Sequence, residues 1–110
     1  MLPAQYRLKD KSDFRRVYQR GKAQAYPSFV LYCRRTNLPN FRVGFSVSKK
    51  LGKAVQRNRI KRRFRELCRL MPEQFAPRAD YVFIVRTAAA AMPREKLAGQ
   101  IQKALSQVRI

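Results

Sequence analysis

The fold is decided where a strand pattern runs directly into a helix pattern, in Phe41-Arg42-Val43-Gly44-Phe45-Ser46-Val47-Ser48 and the residues that follow as far as 69. Apolar residues alternate with polar or small ones over 41–48, and this period of two predicts a β-strand with one apolar face. Residues 55–69 instead have helical apolar spacing, and the predicted helix ends near Met71 and Pro72. The stripe that must pack on the sheet consists of Ile60, Phe64, Leu67 and Met71.

The segments on either side extend this unit into a sheet. Residues 81–85 are nearly all apolar, as expected of an interior strand covered on both faces. Strand, helix and strand together predict one βαβ crossover. Upstream, residues 28–35 are predicted to pair with 41–48 in a hairpin through a turn at 36–40. Residues 22–26 are predicted to add a short strand before Pro27.

Two further helices are predicted, one before and one after these strands. The first covers residues 13–20, with Ser12 as its N-cap and Gly21 as the left-handed residue that closes it. The last begins near Pro93, in the first-turn position that proline tolerates. Its apolar positions are Leu97, Ile101, Leu105 and Val108. The predicted fold class is therefore α+β: a single-domain two-layer sandwich over residues 1–110, with about four strands in a mixed sheet packed with three helices.

Positive charge is in large excess, with 26 Lys and Arg against 6 Asp and Glu and a formal net charge of +20. Residues 49–65 hold nine of these basic residues and no acid. So many positive charges repel one another unless anions are bound. The composition therefore favours a nucleic acid or an anionic membrane surface as partner. The membrane is the weaker alternative because no apolar run approaches the ~20 residues of a spanning helix. Residues 1–20 lack the apolar centre of a secretory leader, so cytoplasmic residence is expected.

The basic residues of the helix at 55–69 leave its apolar stripe free. On a helical wheel Asn58, Arg62, Arg65 and Arg69 lie opposite the stripe, Arg59 lies at the edge of that face, and Arg57, Lys61 and Arg63 lie on the flanks. The preceding loop adds Lys49, Lys50 and Lys53. A merely solvated face has no need of a single sign of charge, and arginine favours bidentate contacts to phosphate. This face is therefore predicted to bind nucleic acid, although charge alone does not separate RNA from DNA.

Aromatic residues suggest a second binding feature. Phe14 and Tyr18 share a face of the first helix, and Val30 and Tyr32 share a face of the strand at 28–35. Together they would line a groove between helix and sheet in which the bases of an unpaired strand stack. The alternative is core packing, which weighs more for Phe14 and Val30 than for the two tyrosines, whose hydroxyls need partners when buried.

The composition excludes several kinds of catalytic site. The sequence has no histidine, so it has no Ser/His/Asp triad, no Cys/His pair and no His-ligated metal. Cys33 and Cys68 fit no metal-ligand spacing and are predicted to be reduced, buried thiols. The six acids are scattered, so no catalytic or metal-binding residue is predicted in the protein. Catalysis is expected to come from elsewhere.

Residues 41–69 closely resemble the signature of the bacterial ribonuclease P protein component. The box Arg57-Asn58-Arg59 lies between Val47-Ser48-Lys49-Lys50 and Arg65-Glu66, as in that family. The resemblance extends to Asp13-Phe14, Val17-Tyr18 and Gly21, then to Phe29-Val30-Leu31-Tyr32 and the late apolar strand, so it covers nearly the whole chain. A tripeptide alone would carry no weight, whereas this order of motifs is specific.

The resemblance implies the protein subunit of a ribonucleoprotein endoribonuclease that removes the 5′ leader from precursor tRNA. The expected partners are the catalytic RNA and precursor tRNA, with the protein monomeric in the particle. Hydrolysis would be carried out by the RNA with magnesium that the RNA mainly holds, and the protein alone would bind no cofactor. The family fold also implies a left-handed βαβ crossover, against the usual preference.

The resemblance also assigns residues by position. Those expected to contact RNA are Arg57, Asn58, Arg59, Lys61, Arg62, Arg65, Lys49, Lys50 and Lys53. Those expected to line the leader cleft are Phe14, Tyr18, Val30, Tyr32 and Arg86, with Lys49 and Lys50 near the leader path. Tyr18 stands where many relatives have phenylalanine, a change that keeps the stacking ring and adds a hydroxyl.

Two other classes of protein are compatible with the charge. A structural RNA-binding protein, such as a ribosomal protein, would share the basic surface but need no cleft for a single strand. A nuclease that acts alone is disfavoured by the missing catalytic groups.

Overall fold

A computed structural model describes residues 3–108 of the chain. Three helices and four strands follow one another as α1 Lys11–Arg20, β1 Lys22–Ala25, β2 Phe29–Arg35, β3 Arg42–Ser46, α2 Ala54–Arg69, β4 Ala79–Val85 and α3 Arg94–Ser106. Short 3-10 turns lie at Ala4–Tyr6, Lys49–Leu51, Pro72–Gln74 and Thr87–Ala91. The predicted α+β class, with a mixed sheet and three helices, is confirmed. The predicted domain over 1–110 includes residues 1, 2, 109 and 110, which lie outside the described part.

The strands form one sheet in the order β1-β2-β4-β3. β3 and β4 are parallel, which confirms the crossover through α2, and the other pairs are antiparallel. The predicted hairpin between β2 and β3 is wrong, because β4 lies between them and β2 pairs with β1 instead. Apart from Asp80, β4 is apolar on both faces and nearly all buried, so it takes an interior position. The left-handedness of the crossover stays a prediction.

The main core lies on one face of the sheet, beneath α2 and α3. The fully buried Phe64 of α2 packs its ring 6.0 Å from that of Phe29 and 5.9 Å from that of Phe83, measured between centroids. Side chains of α3 such as Leu97 and Ile101 complete this core. The predicted stripe of α2 is confirmed, with Met71 half-buried beyond the helix end.

The opposite face of the sheet is only partly covered. α1 packs there through Val17, which meets Val82 of β4 and Leu8 of the preceding segment. Along β2, buried residues therefore alternate with half-exposed ones. The two-layer sandwich predicted from sequence thus describes the sheet with α2 and α3, and α1 adds a partial third layer that leaves a groove beside it.

Helix ends differ from the sequence predictions in detail. α1 begins at Lys11 with Asp10 as its N-cap, so Ser12 lies inside the helix. Gly21 has extended backbone angles, φ −84° and ψ 167°, and is not the predicted left-handed residue. Any larger residue there would place a Cβ 2.5 Å from the Val17 carbonyl oxygen and 2.8 Å from that of Cys33. Close approach of α1 to β2, rather than backbone conformation, therefore requires glycine.

The last helix, α3, differs from the prediction by one or two residues at its ends, and both cysteines lie where they were predicted. Pro93 is the N-cap of α3 rather than a first-turn residue, and the helix ends at Ser106, before Val108. Cys33 and Cys68 are free and buried, as predicted. Burial raises the pKa of the Cys33 thiol to about 12.

Candidate nucleic-acid interface

α2 presents a row of exposed basic and amide side chains to solvent. Asn58, Arg59 and Arg62 are exposed, whereas Ile60, Phe64, Leu67 and Cys68 are buried beneath the helix. Arg57 is half-buried, and its Nε makes no hydrogen bond to residues 3–108. An acceptor oxygen on a bound ligand would satisfy that N–H, which otherwise costs free energy. These positions agree with the predicted binding face.

The lysine loop leads into α2 through a tight turn. Lys49, Lys50 and Lys53 are all exposed. Gly52 has a φ of 122°, a left-handed value that favours glycine, and the Gln56 side chain lies where a Cβ would project. Gln56 Oε1 accepts a hydrogen bond of 2.8 Å from the Lys53 backbone N–H, which caps the helix. The loop lysines are thus held beside the first turn of α2.

Two arginines of α2 are held by neighbouring segments: Arg63 lies on a flank, as predicted, whereas Arg65 does not lie where the helical wheel puts it. Arg65, predicted opposite the stripe, is half-buried and lines a groove of about 430 Å³ with Lys61, Lys9 and Phe45. Arg63 donates hydrogen bonds to the carbonyl oxygens of Met92 at 2.6 Å and Ala89 at 3.4 Å. Arg63 therefore anchors the turn before α3, and Arg65 faces the edge of β3. A wheel lacks the neighbouring segments that draw these side chains inward.

The groove beside α1 contains the predicted aromatic residues. The rings of Tyr18 and Tyr32 meet edge to face with centroids 5.1 Å apart, and the Phe14 ring lies 6.4 Å from that of Tyr18. Tyr18 is 37% exposed. Partial burial is the main cause that raises the pKa of Tyr18, and the neighbouring Ser46 side chain opposes the rise. These rings offer stacking surface at the wall of an open groove.

The floor of the groove is a row of half-exposed side chains across three strands. Val30 of β2 lies opposite Ile84 of β4, which in turn lies opposite Ser46 of β3. Arg86 follows Ile84 by two residues, is exposed, and donates a hydrogen bond of 3.2 Å to the Tyr26 carbonyl oxygen. Of the predicted cleft residues, Val30 and Tyr32 thus lie on this face of the sheet, Phe14 and Tyr18 reach it from α1, and Arg86 lies just beyond the end of β4. Sequence reasoning missed Ile84 and Ser46.

Basic residues line the groove where it passes between α1 and α2. A concavity of about 490 Å³ holds Phe14, Tyr18 and Ser46 together with Phe45 and Val47 of the β3 segment. Its cations are Lys9, Lys11, Arg15 and Lys61. Aromatic faces next to cations suit a single nucleic-acid strand, whose bases stack while its phosphates meet positive charge.

An ion-pair network holds α1 over the sheet. Asp80 of β4 is fully buried, and its two oxygens accept hydrogen bonds from Arg42 of β3 at 2.9 Å and 2.7 Å. Arg42 also reaches Asp13 of α1 at 3.3 Å, and Asp13 pairs with Arg16 at 3.2 Å. Hydrogen bonding by Asp80 is the main cause that raises the pKa of Arg42. Since Val17 is the one buried residue of α1, this network fixes the helix that forms the groove wall.

Gly44 sets how closely α1 approaches β3. A Cβ on residue 44 would lie 2.5 Å from the Phe14 ring and 3.1 Å from the Leu8 Cβ. We expect Gly44→Ala to displace the ring and lower the free energy of unfolding by about 1–3 kcal/mol, the usual cost of overpacking, measured by urea denaturation. Gly99→Ala is the matched control, because nothing lies within 4 Å of its Cβ. It should stabilise α3 by about 0.5–1 kcal/mol. Equal stability of the Gly44 variant and the parent protein would contradict this packing.

Carboxylates are few on these surfaces, and several are already paired. Asp13 and Asp80 pair with Arg42, and Glu66 pairs with Arg69, which lowers the pKa of Glu66 mainly by hydrogen bonding. Over residues 3–108, no three or more His, Cys, Asp or Glu side chains are grouped so as to hold a metal ion. In the same range, no helix combines the length and apolar character needed to cross a membrane.

Comparison with known proteins identifies similar sequences and structures. The family model described as Ribonuclease P matches residues 2–109. A ribonuclease P protein component from an Exiguobacterium species is 39% identical over 109 residues, 99% of this chain and 95% of that protein. One from Geobacillus kaustophilus is 49% identical over 92 residues, 83% of this chain and 76% of that protein.

Solved structures show the same likeness. The RNase P protein of Staphylococcus aureus superposes with a TM-score of 0.83 at 36% identity, over 92% of this chain and 93% of that one. The RNase P protein of Thermotoga maritima gives a TM-score of 0.87 at 26% identity, over 94% and 98%. Both the sequence and the arrangement of the elements therefore have known counterparts.

Proposed function

The chain belongs to the family of bacterial ribonuclease P protein components, and from this premise we propose that it binds the catalytic RNA and the 5′ leader of precursor tRNA. In this proposal it assists the magnesium-dependent endonucleolytic removal of the leader, which leaves the mature 5′ end of the tRNA. Family membership already makes the chain an RNA-binding component of a ribonucleoprotein nuclease in tRNA processing.

The observation that carries the proposal is the open groove beside α1. Tyr18 and Tyr32 expose ring surface there, Val30 and Ile84 form an apolar floor, and Lys61 joins the groove from α2. A structural RNA-binding protein needs the basic helix but has no use for a stacking groove of this kind. A single-stranded leader extending from a folded tRNA fits both features, because its bases are free to stack.

The remaining basic residues support contacts to the catalytic RNA. The residues that would contact that RNA lie on α2 and in the loop before it: Arg57, Asn58, Arg59, Arg62, Lys49, Lys50 and Lys53. Lys61, Arg65 and Arg86 would meet the leader along its path. We propose a monomeric protein in the particle, a cytoplasmic location with the tRNA precursors, and no membrane partner.

We infer that the protein does not carry out the hydrolysis by itself. The sequence has no histidine, and the carboxylates of Asp13 and Asp80 beside the groove are engaged by Arg42. Magnesium prefers several oxygen ligands, and no group of acids for it occurs among the described residues. The proposal therefore assigns the magnesium mainly to the RNA subunit and gives the protein the tasks of binding and orienting the substrate.

Reconstitution tests the proposed function against both alternatives. Precursor tRNA is incubated at low magnesium with the protein alone, with a bacterial ribonuclease P RNA alone, and with both. We expect faster leader removal when protein and RNA are combined than with the RNA alone, and none with the protein alone. If the protein fails to accelerate the RNA, the proposal is wrong. If the protein cleaves unaided, it is a nuclease in its own right.

A further inference from the structure

A second concave surface lies between α2 and the first turn of α3. It encloses about 260 Å³ and is lined by Arg59, Arg62, Arg63, Glu66, Leu67 and Arg94. We propose that this groove binds a nucleotide of the catalytic RNA, with Arg94 as a phosphate contact. The inference rests on the proposed function and extends the RNA interface from α2 onto α3. Arg94 has no place in the set of contacts expected from sequence.

Charge is the first reason to assign an anionic ligand. Arg59 and Arg62 lie three residues apart on α2 and share the groove with Arg94, and no side-chain hydrogen bond of these three occurs among residues 3–108. Like charges at this spacing repel one another in the free protein. Glu66 is the acid of the lining, and Arg69 hydrogen-bonds it from outside, while Arg94 adds to the lowering of its pKa. A bound phosphate would relieve the remaining repulsion.

Shape and polarity are the second reason. Leu67, which is 4% exposed, forms part of the groove wall. Arg63 lines the groove as well, but its guanidinium is bound to the carbonyl oxygens of Ala89 and Met92. A groove closed by the buried Leu67, with guanidinium groups along its rim, suits a nucleotide better than a free ion, because a base stacks on a guanidinium plane while the phosphate pairs with arginine.

The position of the groove on α2 favours the catalytic RNA over precursor tRNA as its ligand. Lys61 and Arg65 lie on the flank of α2 that faces the α1 groove, whereas Arg59, Arg62 and Arg63 lie on the other flank, toward α3. The buried stripe with Ile60 and Phe64 runs between the two flanks. A leader held beside Tyr18 therefore has the helix between it and Arg94. The groove is assigned to the catalytic RNA for this reason.

The test compares Arg94→Ala with Lys103→Ala. Both residues are exposed on α3 and each substitution removes one positive charge, but Lys103 lies about 13 Å farther along the helix axis. Affinity for a bacterial ribonuclease P RNA is measured without tRNA over a range of salt concentrations. We expect Arg94→Ala to weaken binding and to reduce the slope of log affinity against log salt by about one contact relative to Lys103→Ala. Arg94→Glu should weaken it further, and urea unfolding of each variant confirms that the fold is intact.

The outcomes separate this inference from the proposed function. If the unmodified protein accelerates leader removal but the Arg94 and Lys103 variants have the same slope, the groove assignment alone is wrong. Affinity for precursor tRNA is measured in a parallel titration; if Arg94→Ala lowers that affinity and leaves affinity for the catalytic RNA unchanged, the assignment to the catalytic RNA is overturned. Failure of the unmodified protein to bind the catalytic RNA would instead remove the proposed function.

Discussion

Asp80→Ala is expected to lower the free energy of unfolding by roughly 3–5 kcal/mol, because it leaves the Arg42 guanidinium half-buried without its main partner. Asp80 is fully buried, and both of its oxygens bind Arg42. The same arginine links β3 to Asp13 on α1, so its release also loosens the wall of the cleft. Urea unfolding followed by circular dichroism measures the change.

Glu73→Ala provides the control for the loss of one negative charge. Glu73 is exposed in the turn Pro72–Gln74, and an exposed substitution of this kind usually changes stability by no more than about 0.5 kcal/mol. If the Asp80 variant lost as little as the Glu73 variant, the Arg42–Asp80 pair would not hold the sheet and α1 together.

The second large effect concerns substrate binding. Tyr18→Ala should weaken binding of precursor tRNA to the reconstituted particle by about 1–3 kcal/mol, roughly five-fold to 150-fold, and leave binding of mature tRNA unchanged. The reason is that the exposed Tyr18 ring, braced edge to face by Tyr32, offers a stacking surface to a leader base that mature tRNA lacks. Binding is measured for both RNAs at one salt concentration.

Tyr18→Phe is the matched control, because it keeps the aromatic ring and removes only the hydroxyl, which lies near Ser46. Stacking predicts that the phenylalanine variant binds precursor tRNA nearly as well as the parent protein. Equal losses for precursor and mature tRNA in Tyr18→Ala would instead indicate that the ring supports the fold. Unfolding of each variant is measured alongside.

Local periodicity was sufficient to predict the elements that build this fold. The alternation over 41–48 and the spacing of Ile60, Phe64 and Leu67 give β3 and α2 with their buried faces, because each pattern depends on neighbours within a few residues. Strand pairing does not follow from local periodicity, because it depends on which strands must be buried on both faces of the sheet. The apolar β4 therefore separates β2 from β3, which local pattern alone did not predict.

The candidate interface likewise has a part that local sequence predicts and a part that depends on distant segments. The basic face of α2 follows from its sequence, but the turn that holds Arg63 and the β3 edge that holds Arg65 come from distant segments. Arg42 and Asp80 lie 38 residues apart, and their pairing becomes evident only once β3 and β4 are known to be neighbours. In the sequence Gly44 is an ordinary strand residue. Its role becomes evident only in the structure, where the Phe14 ring lies against it.

The central claim is that the protein recognises the leader through its cleft, and the ratio of affinities for precursor and mature tRNA tests it most directly. Both affinities are measured for the catalytic RNA alone and for the RNA with this protein, at the same salt and magnesium concentrations. We expect the protein to raise affinity for precursor tRNA about tenfold more than affinity for mature tRNA, in line with one stacked base at ~1–3 kcal/mol. An equal gain for both RNAs would contradict the account, because it would mean that the protein adds only general affinity for RNA.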